Sequence, residues 1–265
     1  MSLQVILCSK DRPAQLDLSI RTLRGRGPKY ELCSVVYKGS TPEFKEGYQI
    51  CKEQYEDILF IEETDFRADI LRCYNKVAHT MFMMDDDIFY RNSVPVEEIE
   101  QYFNNFPLLA FSLRLGENTL RQNPHNENER VQLPNFSRFN GTLLWDHTTV
   151  GLNFGYPLSL DCHVFRTDTI FDLMNKIEFK TPNFLEAHLQ HVKQELPRYM
   201  ACSKKSSCVG VPLNRVQDDF TNNAGIYYGV SVEEMNQKFL DGKRLDDNIP
   251  EKIVGAHQEI DLQWV

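Results

Sequence analysis

The chain has 265 residues, of which 42% are hydrophobic, and a formal net charge of −9. This length is sufficient for one large α/β domain or two small ones, and the apolar share is sufficient for a core. With 38 acidic against 29 basic residues, the sequence lacks the broad basic surface that nucleic acid requires. Nucleic acid is therefore excluded as the main partner, and an anionic substrate would need a metal ion or a few placed basic residues.

The seven cysteines are scattered, odd in number and without a CxxC pair. This usage indicates a reduced intracellular compartment, and we expect a cytoplasmic protein. Met1–Cys8 lacks the basic start and long apolar core of a signal peptide, and no apolar stretch approaches the roughly 20 residues that span a bilayer. Peripheral association with the cytoplasmic face of a membrane stays open.

The chain opens with a predicted strand, a polar loop and a helix. Leu3–Cys8 is a short continuous apolar run, which is typical of a strand covered on both faces. Ser9–Pro13 interrupts this run, and Leu16, Ile20 and Leu23 then follow at helical spacing. This order of elements sets a helix N-terminus beside a ligand.

The same alternation continues to residue 85. Strands are predicted at Leu32–Tyr37, at Ile58–Ile61 and in the run that ends at Asp85, with amphipathic helices between them. This spacing implies a mainly parallel sheet with right-handed crossovers. Ligands bind beyond the carboxyl ends of the strands in such sheets, so the loop Ser9–Pro13 and the acids Asp85–Asp87 should meet there.

The second half of the chain is less regular. A helix near residues 96–103 and a strand at Leu108–Leu115 precede Glu117–Gly141, which has no periodicity and many asparagines. We expect a mobile loop over a donor or acceptor site there, with a plain surface excursion as the alternative. The later predicted elements are a strand entered through 156–166, helices at 169–177 and 183–196, a last core strand at 208–211, a short helix at 232–239 and a polar tail. No repeat or domain boundary is visible, which favours a single domain over residues 1–265.

Three consecutive acids follow the apolar run Met81–Met84. Burying Asp85, Asp86 and Asp87 unpaired would cost several kcal/mol, but a divalent cation between them would make them tolerable. Strand geometry predicts that Asp85 and Asp87 share one face and that Asp86 takes the other. Oxygen ligands favour Mg²⁺ or Mn²⁺ over zinc. A solvated acidic turn is the alternative.

The order of these pieces resembles the metal-dependent glycosyltransferases of the GT-A fold. Ser9–Leu16 is similar to the family's opening S-x-[ND]-R-P-x-x-L, and Asp85–Asp87 matches its DxD motif. The N-terminal resemblance covers about residues 3 to 90, whereas the resemblance of Ser159–Thr167 to an acceptor-side strand is looser. The sequence also departs from the family's Glu-Asp pair at the start of the next helix, where only Glu186 stands nearby.

The resemblance implies a three-layer α/β/α sandwich with a mostly parallel central sheet. It further implies a hexosyltransferase that uses a nucleotide-diphosphate donor, uridine-linked, and a glycan or lipid-linked acceptor. Residues 1–115 would form the nucleotide-sugar half, and 116–265 the acceptor half with the C-terminal tail. A Mn²⁺ or Mg²⁺ ion would stabilise the charge that builds on the departing diphosphate.

The resemblance also assigns roles to the acids. Asp87 is the expected direct metal ligand, and Asp85 would bind the ribose or the ion's waters, although these two roles are interchangeable. Asp86 would support the ligands or pair with a basic residue near the nucleotide. His257 in the tail is the candidate third ligand, with a plain solvated histidine as the alternative.

Four further residues are expected at the nucleotide. Ser9 would meet the ribose or base, together with Asp11, and Arg12 would lie near phosphate. The alternative for Asp11 is a helix-capping acid, which alone explains an acid before a helix. Arg67 could reach the base or phosphate, or pair with a neighbouring acid, Glu63 or Asp65.

An inverting reaction needs a general base, for which Asp161 and Glu186 are the candidates. Asp218 and Asp219 are the second-choice candidates. The alternatives without a catalytic role are a turn residue for Asp161 and a solvated helix position for Glu186. A base must reach the attacking hydroxyl, and a retaining reaction would need none of them.

Three other functions compete. A nucleotidyltransferase should have a glycine- and basic-rich loop after the first strand, which Ser9–Pro13 is not. A metal-dependent phosphohydrolase of the haloacid type should carry its acids at the first strand, whereas here they end a later one. A catalytically silent nucleotide- or glycan-binding module would keep the same fold.

Overall fold

The computed structural model describes residues 2–122, 130–217, 219–220 and 223–265. The strands are β1 (Leu3–Lys10), β2 (Leu32–Lys38), β3 (Leu59–Glu62), β4 (His79–Met84), β5 (Asp87–Phe89), β6 (Leu108–Ser112), β7 (Ser137–Phe139), β8 (Thr142–Asp146), β9 (His163–Arg166), β10 (Tyr199–Ser203) and β11 (Cys208–Gly210). The α-helices are α1 (Pro13–Arg26), α2 (Pro42–Gln54), α3 (Phe66–Arg72), α4 (Val96–Asn105), α5 (Thr167–Asn175), α6 (Pro182–His191) and α7 (Val232–Leu240).

The central sheet has nine strands in the order β3-β2-β1-β4-β9-β6-β10-β8-β7. Strands β1, β2, β3 and β4 are parallel to one another, and β6 is parallel to β10. Strand β9 is antiparallel to both of its neighbours, β4 and β6, and β8 is antiparallel to β10 and β7. The predicted α/β class with a large, mostly parallel central sheet is therefore confirmed.

Helices cover both faces of this sheet because its central strands are apolar on both sides. In β1, the side chains of Leu3, Val5 and Leu7 pack with α1, α2, α4 and α7, whereas Ile6 and Cys8 pack with α3, α5 and α6. Prolines at the first turn of α1 and α2 start these helices just after the polar loops, where their missing N–H is harmless. The result is three layers, with β1 buried in the middle.

Several strands differ from the sequence-based predictions. Strand β11 was expected in the core sheet, but it pairs antiparallel with β5 in a separate two-stranded sheet. Strands β7, β8 and β10 were not predicted, because their runs are short and lack the alternation with helices that marks the first half. Of the predicted mobile loop 117–141, residues 123–129 lie outside the described residues, and β7 begins within its last part.

Strand β9 positions the segment before it against the acid turn. The backbone N–H of Cys162 donates to the carbonyl of Phe82 at 2.9 Å, and its own carbonyl accepts from Leu113 N at 3.0 Å. Residues just before β9 are thereby held between the ends of β4 and β6. Within the described ranges, no helix combines the length and the apolar character needed to cross a bilayer.

Candidate active site

A cavity of about 740 Å³ opens at the carboxyl ends of β1, β2 and β4. The predicted loop after β1 and the acid turn after β4 meet there, together with the segment before β9, the start of α6, the segment 212–217 and the tail. Its charged and polar lining includes Ser9, Lys10, Arg12, Lys38, Glu63, Asp85, Asp86, Asp161, Lys180, Glu186, Asn214, Arg215 and His257.

The Asp85 carboxylate is held by groups at the end of β1 and in the loop that follows it. Its Oδ2 accepts from the Ser9 hydroxyl at 2.8 Å and from Lys10 N at 3.3 Å, and its Oδ1 lies 2.9 Å from Arg12 Nη1. Burial raises the pKa of Asp85 to about 6, and the Arg12 guanidinium limits this rise. Both carboxylate oxygens of Asp85 are therefore occupied by protein groups.

Asp86 and Asp87 face different environments. The Asp86 side chain lines the cavity, with Oδ2 at 3.5 Å from Arg12 Nη1, as expected for an acid paired with a basic residue. The Asp87 side chain is fully buried behind the cavity wall, and its Oδ2 accepts from Met84 N at 3.0 Å. Strand β4 ends at Met84, so residues 85 and 86 form a turn, and strand alternation no longer fixes which acid faces the open space.

Arg12 also reaches across the cavity to the segment before α7. Its Nε donates to the side-chain oxygen of Asn214 at 2.7 Å, and its Nη2 donates to the Asn214 carbonyl. Lys10 Nζ donates to the carbonyl of Val216 at 3.0 Å. Lys10, at the end of β1, and Arg12, in the loop after it, thus hold the segment 212–217 over the carboxyl end of β1.

Asp11 and Arg67, both expected at the nucleotide, lie outside the cavity lining. The Asp11 carboxylate accepts from the N–H and the hydroxyl of Ser40 at 2.6 Å each, so it joins two loops and does not cap α1. Arg67 donates to the carbonyls of Ile177 at 2.9 Å and Asn175 at 3.1 Å, in the turn after α5. In this structure both residues hold loops together.

Arg114 is a site residue that the sequence analysis missed. It is buried, and its Nη1 lies 2.8 Å from Asp161 Oδ2 and 3.0 Å from His257 Nε2. Its Nη2 donates to the Ser159 hydroxyl at 3.0 Å. An arginine inside the apolar run 108–115 was the available signal, because a buried guanidinium requires an acidic partner.

The two candidate bases have opposite electrostatic environments. Burial and the negative charge of Asp161 raise the pKa of Glu186 to about 7, while its Oε1 accepts from Leu160 N at 3.0 Å. Burial alone would raise the pKa of Asp161, but Arg114 and His257 lower it below the usual range of an aspartate. Such a separation of two nearby carboxyl pKa values is typical of acid–base sites.

The predicted ligand set Asp85, Asp87 and His257 is not assembled. In the described part of the chain, the groups of three whose ligand atoms all lie within 4.8 Å comprise a single set, Asp87 with Cys162 and Cys208. His257 lies on the cavity wall with its Nε2 3.3 Å from Asp161 Oδ2. Of the two second-choice candidates for the base, Asp219 also lines the cavity, whereas Asp218 lies outside the described residues.

The chain is similar in sequence to a known glycosyltransferase. No protein-family model matches the chain. It is 26% identical over 283 residues to the bifunctional glycosyltransferase pgtA of Dictyostelium discoideum, which covers 92% of this chain and 36% of that protein. The chain therefore spans well under half of this curated relative.

Solved structures share the architecture. S. aureus TarS 1–349 in complex with UDP is 14% identical, with a TM-score of 0.50 over 78% of this chain and 60% of TarS. The complex of the same protein with UDP-GlcNAc has a TM-score of 0.49 and the same identity, over 89% of this chain and 63% of TarS. The chain is thus homologous to a glycosyltransferase and has the mixed α/β architecture of GT-A-like glycosyltransferases.

Proposed function

We propose that this chain transfers a sugar from a nucleoside-diphosphate donor, uridine-linked, to a carbohydrate or lipid-linked acceptor. The observation that carries this proposal is the pair Asp161 and Glu186, whose carboxyl groups line one cavity with the acid turn and have opposite pKa shifts. The similarity to pgtA over 92% of the chain supports the reaction class. The UDP bound to TarS, a protein of similar fold, supports the choice of nucleotide.

The donor would bind at the β1 side of the cavity. Ser9 and Asp85 would meet the ribose, and Arg12, with Lys10 beside it, would supply positive charge for the diphosphate, because all four residues line this side of the cavity. Arg215 lies on the same wall and is exposed. We retain the division into a nucleotide half, residues 1–115, and an acceptor half, 116–265, as part of this proposal.

A divalent ion, Mn²⁺ or Mg²⁺, would be held by Asp86 and His257. Hard divalent ions in phosphate sites use one or two carboxylates plus substrate phosphates, and not a complete protein cage, and both Asp86 and His257 line this cavity. We assign Asp86 in place of Asp87, because the Asp86 side chain faces the cavity and both Asp85 oxygens are occupied. When bound, the ion neutralises charge on the leaving diphosphate.

Glu186 is the proposed general base. With a pKa near 7 it is deprotonated in a large fraction of molecules at neutral pH and can take the proton of the acceptor hydroxyl as that oxygen attacks the sugar. Asp161 stays ionised beside Arg114, so it orients groups and keeps the pKa of Glu186 high. This assignment implies inversion at the anomeric carbon.

The test uses a panel of nucleotide sugars with and without Mn²⁺, measuring thermal shift and release of nucleoside diphosphate. We expect a uridine donor to stabilise the protein and to be hydrolysed slowly, and Glu186→Gln to retain the thermal shift and lose hydrolysis. Glu195→Gln, at an exposed position away from the cavity lining, is the matched control. Binding without turnover in wild-type protein would favour the silent module, and pyrophosphate release from triphosphates would favour a nucleotidyltransferase.

A further inference from the structure

A second group of ligand-type side chains lies behind the cavity wall. The side chains of Asp87, Cys162 and Cys208 are fully buried, and one carboxylate oxygen and both sulfurs lie within 4.8 Å of one another. The two sulfurs are 2.9 Å apart. None of the three residues lines the cavity, so this group is separate from the one assigned to the donor and the acceptor.

The fold brings these side chains together from three segments. Asp87 begins β5, and Cys208 begins β11, which pairs antiparallel with β5 so that Gly210 faces Asp87. Cys162 precedes β9 and has a φ of +53°, a left-handed conformation that non-glycine residues seldom adopt. Backbone hydrogen bonds to both β4 and the end of β6 maintain this conformation, which is a form of local strain that occurs most often at functional sites.

The carboxylate of Asp87 is incompletely satisfied. Its Oδ2 accepts from Met84 N, but its Oδ1 is buried without a hydrogen-bond partner. Left ionised in this state, the carboxylate would cost several kcal/mol, a cost that either protonation or a bound cation would remove. The Nη1 and Nη2 of Arg114 contact Asp161, His257 and Ser159, so neither of these two nitrogens satisfies the Asp87 oxygen.

We propose that Asp87, Cys162 and Cys208 bind a thiophilic divalent cation, Zn²⁺, as a structural site. Thiolate ligands select zinc over Mg²⁺ and Mn²⁺, which prefer oxygen. At a Zn–S length of about 2.3 Å a tetrahedral site sets two sulfurs about 3.8 Å apart, so the thiols need to separate by only about 1 Å. Binding releases one proton from each thiol, and the second Asp87 oxygen or a water molecule completes the coordination.

Such an ion would support the active site without contacting substrate. It would join the turn that carries Asp86, the segment that carries Asp161, and β11, whose Gly210 forms a bridge with His257 in the tail. These three side chains are among those that the proposed reaction requires at fixed positions. The zinc site does not depend on that reaction, because its ligands and its readout are independent of sugar transfer.

The experiment is a metal analysis of the intact chain purified without chelator. We expect one zinc ion per chain by mass spectrometry and, after exchange, a near-ultraviolet thiolate-to-cobalt absorption band with added Co²⁺. Cys208→Ser and Asp87→Asn should each weaken metal binding by at least about tenfold, since each removes one of three ligands. Cys202→Ser, which alters a buried thiol in β10 outside the cluster, should retain both the zinc and the band.

Competition with a chromogenic zinc chelator on wild-type protein needs no variant and therefore stands even if Cys208→Ser fails to fold. Wild-type protein that holds no zinc and gives no cobalt–thiolate band would overturn the proposal. So would an intact mass two hydrogens lower with Cys162 and Cys208 resistant to alkylation, because that result means a disulfide. Equal metal loss in Cys202→Ser would also count against it.

Discussion

The Nε2 of His257 lies 3.3 Å from the Oδ2 of Asp161, so the C-terminal tail meets the segment before β9 at the cavity. The close packing of the His257 ring against β11 requires a glycine at position 210, because an added Cβ there would lie 2.4 Å from the ring. Arg114 lies against both side chains. The buried Arg114 and the partly exposed His257 together favour the ionised state of Asp161, and the first prediction concerns Arg114.

Replacing Arg114 should impair both stability and turnover. Arg114→Leu leaves the partly buried Asp161 carboxylate without its cation, which should lower the free energy of unfolding by up to about 3–5 kcal/mol. Arg114→Lys keeps the charge but cannot contact Asp161, His257 and Ser159 together, so donor hydrolysis should fall by roughly 10²-fold through misplacement. Chemical denaturation and initial rates measure the two effects.

The control for the two Arg114 variants is Arg198→Lys, because Arg198 is exposed and forms an ion pair with Asp146. It should change stability by less than about 0.5 kcal/mol and leave the rate unchanged. If Arg114→Lys behaved like this control, Arg114 would have no positioning role.

The rate should depend on pH through Glu186. Since a base must be deprotonated and burial raises the pKa of Glu186 to about 7, hydrolysis of the donor should be slow at pH 5–6 and reach a plateau above pH 8. Glu186→Gln should lower the rate by roughly 10²–10⁴-fold with little change in the KM for the donor. A profile without an inflection near neutrality would assign the base elsewhere.

The same carboxyl group should make the native protein less stable as it ionises. The folded pKa of Glu186 exceeds its unfolded value, so its contribution to stability is complete below about pH 4 and is lost as pH rises through 7. Glu186→Gln should therefore raise the Tm at pH 8, through an increase on the order of 1–3 kcal/mol in the free energy of unfolding, and have little effect at pH 4. Thermal unfolding of both proteins across this range is the measurement, and an equal difference at both pH values would refute the burial argument.

Neighbouring acids should respond differently to the loss of charge. Asp86→Asn should abolish the extra stabilisation that Mn²⁺ gives in the presence of UDP, which is about 2.7 kcal/mol at a ligand concentration 100 times Kd. Asp87→Asn should lower the overall Tm through loss of the proposed zinc site but keep an additional Mn²⁺-dependent shift, because the Asp87 side chain is behind the cavity wall. Thermal shifts with UDP, measured with and without Mn²⁺, show which of the two variants loses the metal effect. Loss in Asp87→Asn with retention in Asp86→Asn would return the direct ligand role to Asp87, as the sequence predicts.

The first half of the fold could be predicted because its signals are local. Strands β1 and β2 are continuous apolar runs, and α1 and α2 each begin at a proline after a polar loop. The meeting of Ser9 and Asp85 followed from the rule that parallel strands gather their following loops at one edge. No side-chain contact needed to be known for that inference.

The rest of the site depends on contacts between distant segments. The insertion of β9 between β4 and β6 is not encoded in the pattern of residues 163–166 alone. Which of Asp86 and Asp87 faces the cavity depends on where β4 ends, and a shift of one residue exchanges their environments. Arg67 illustrates the same limit, because its partners are carbonyls after α5 that adjoin it only in three dimensions.

The reversed direction of β9 determines the order of charges along the edge of the sheet. Asp85 follows β4, Asp161 precedes β9 and Arg114 follows β6, and these strands are consecutive neighbours. Adjacent strands are about 4.8 Å apart, so two acidic side chains and one basic side chain begin from positions within roughly 10 Å across the sheet. A parallel β9 would have carried Asp161 to the opposite end of the strands, away from Asp85 and Arg114.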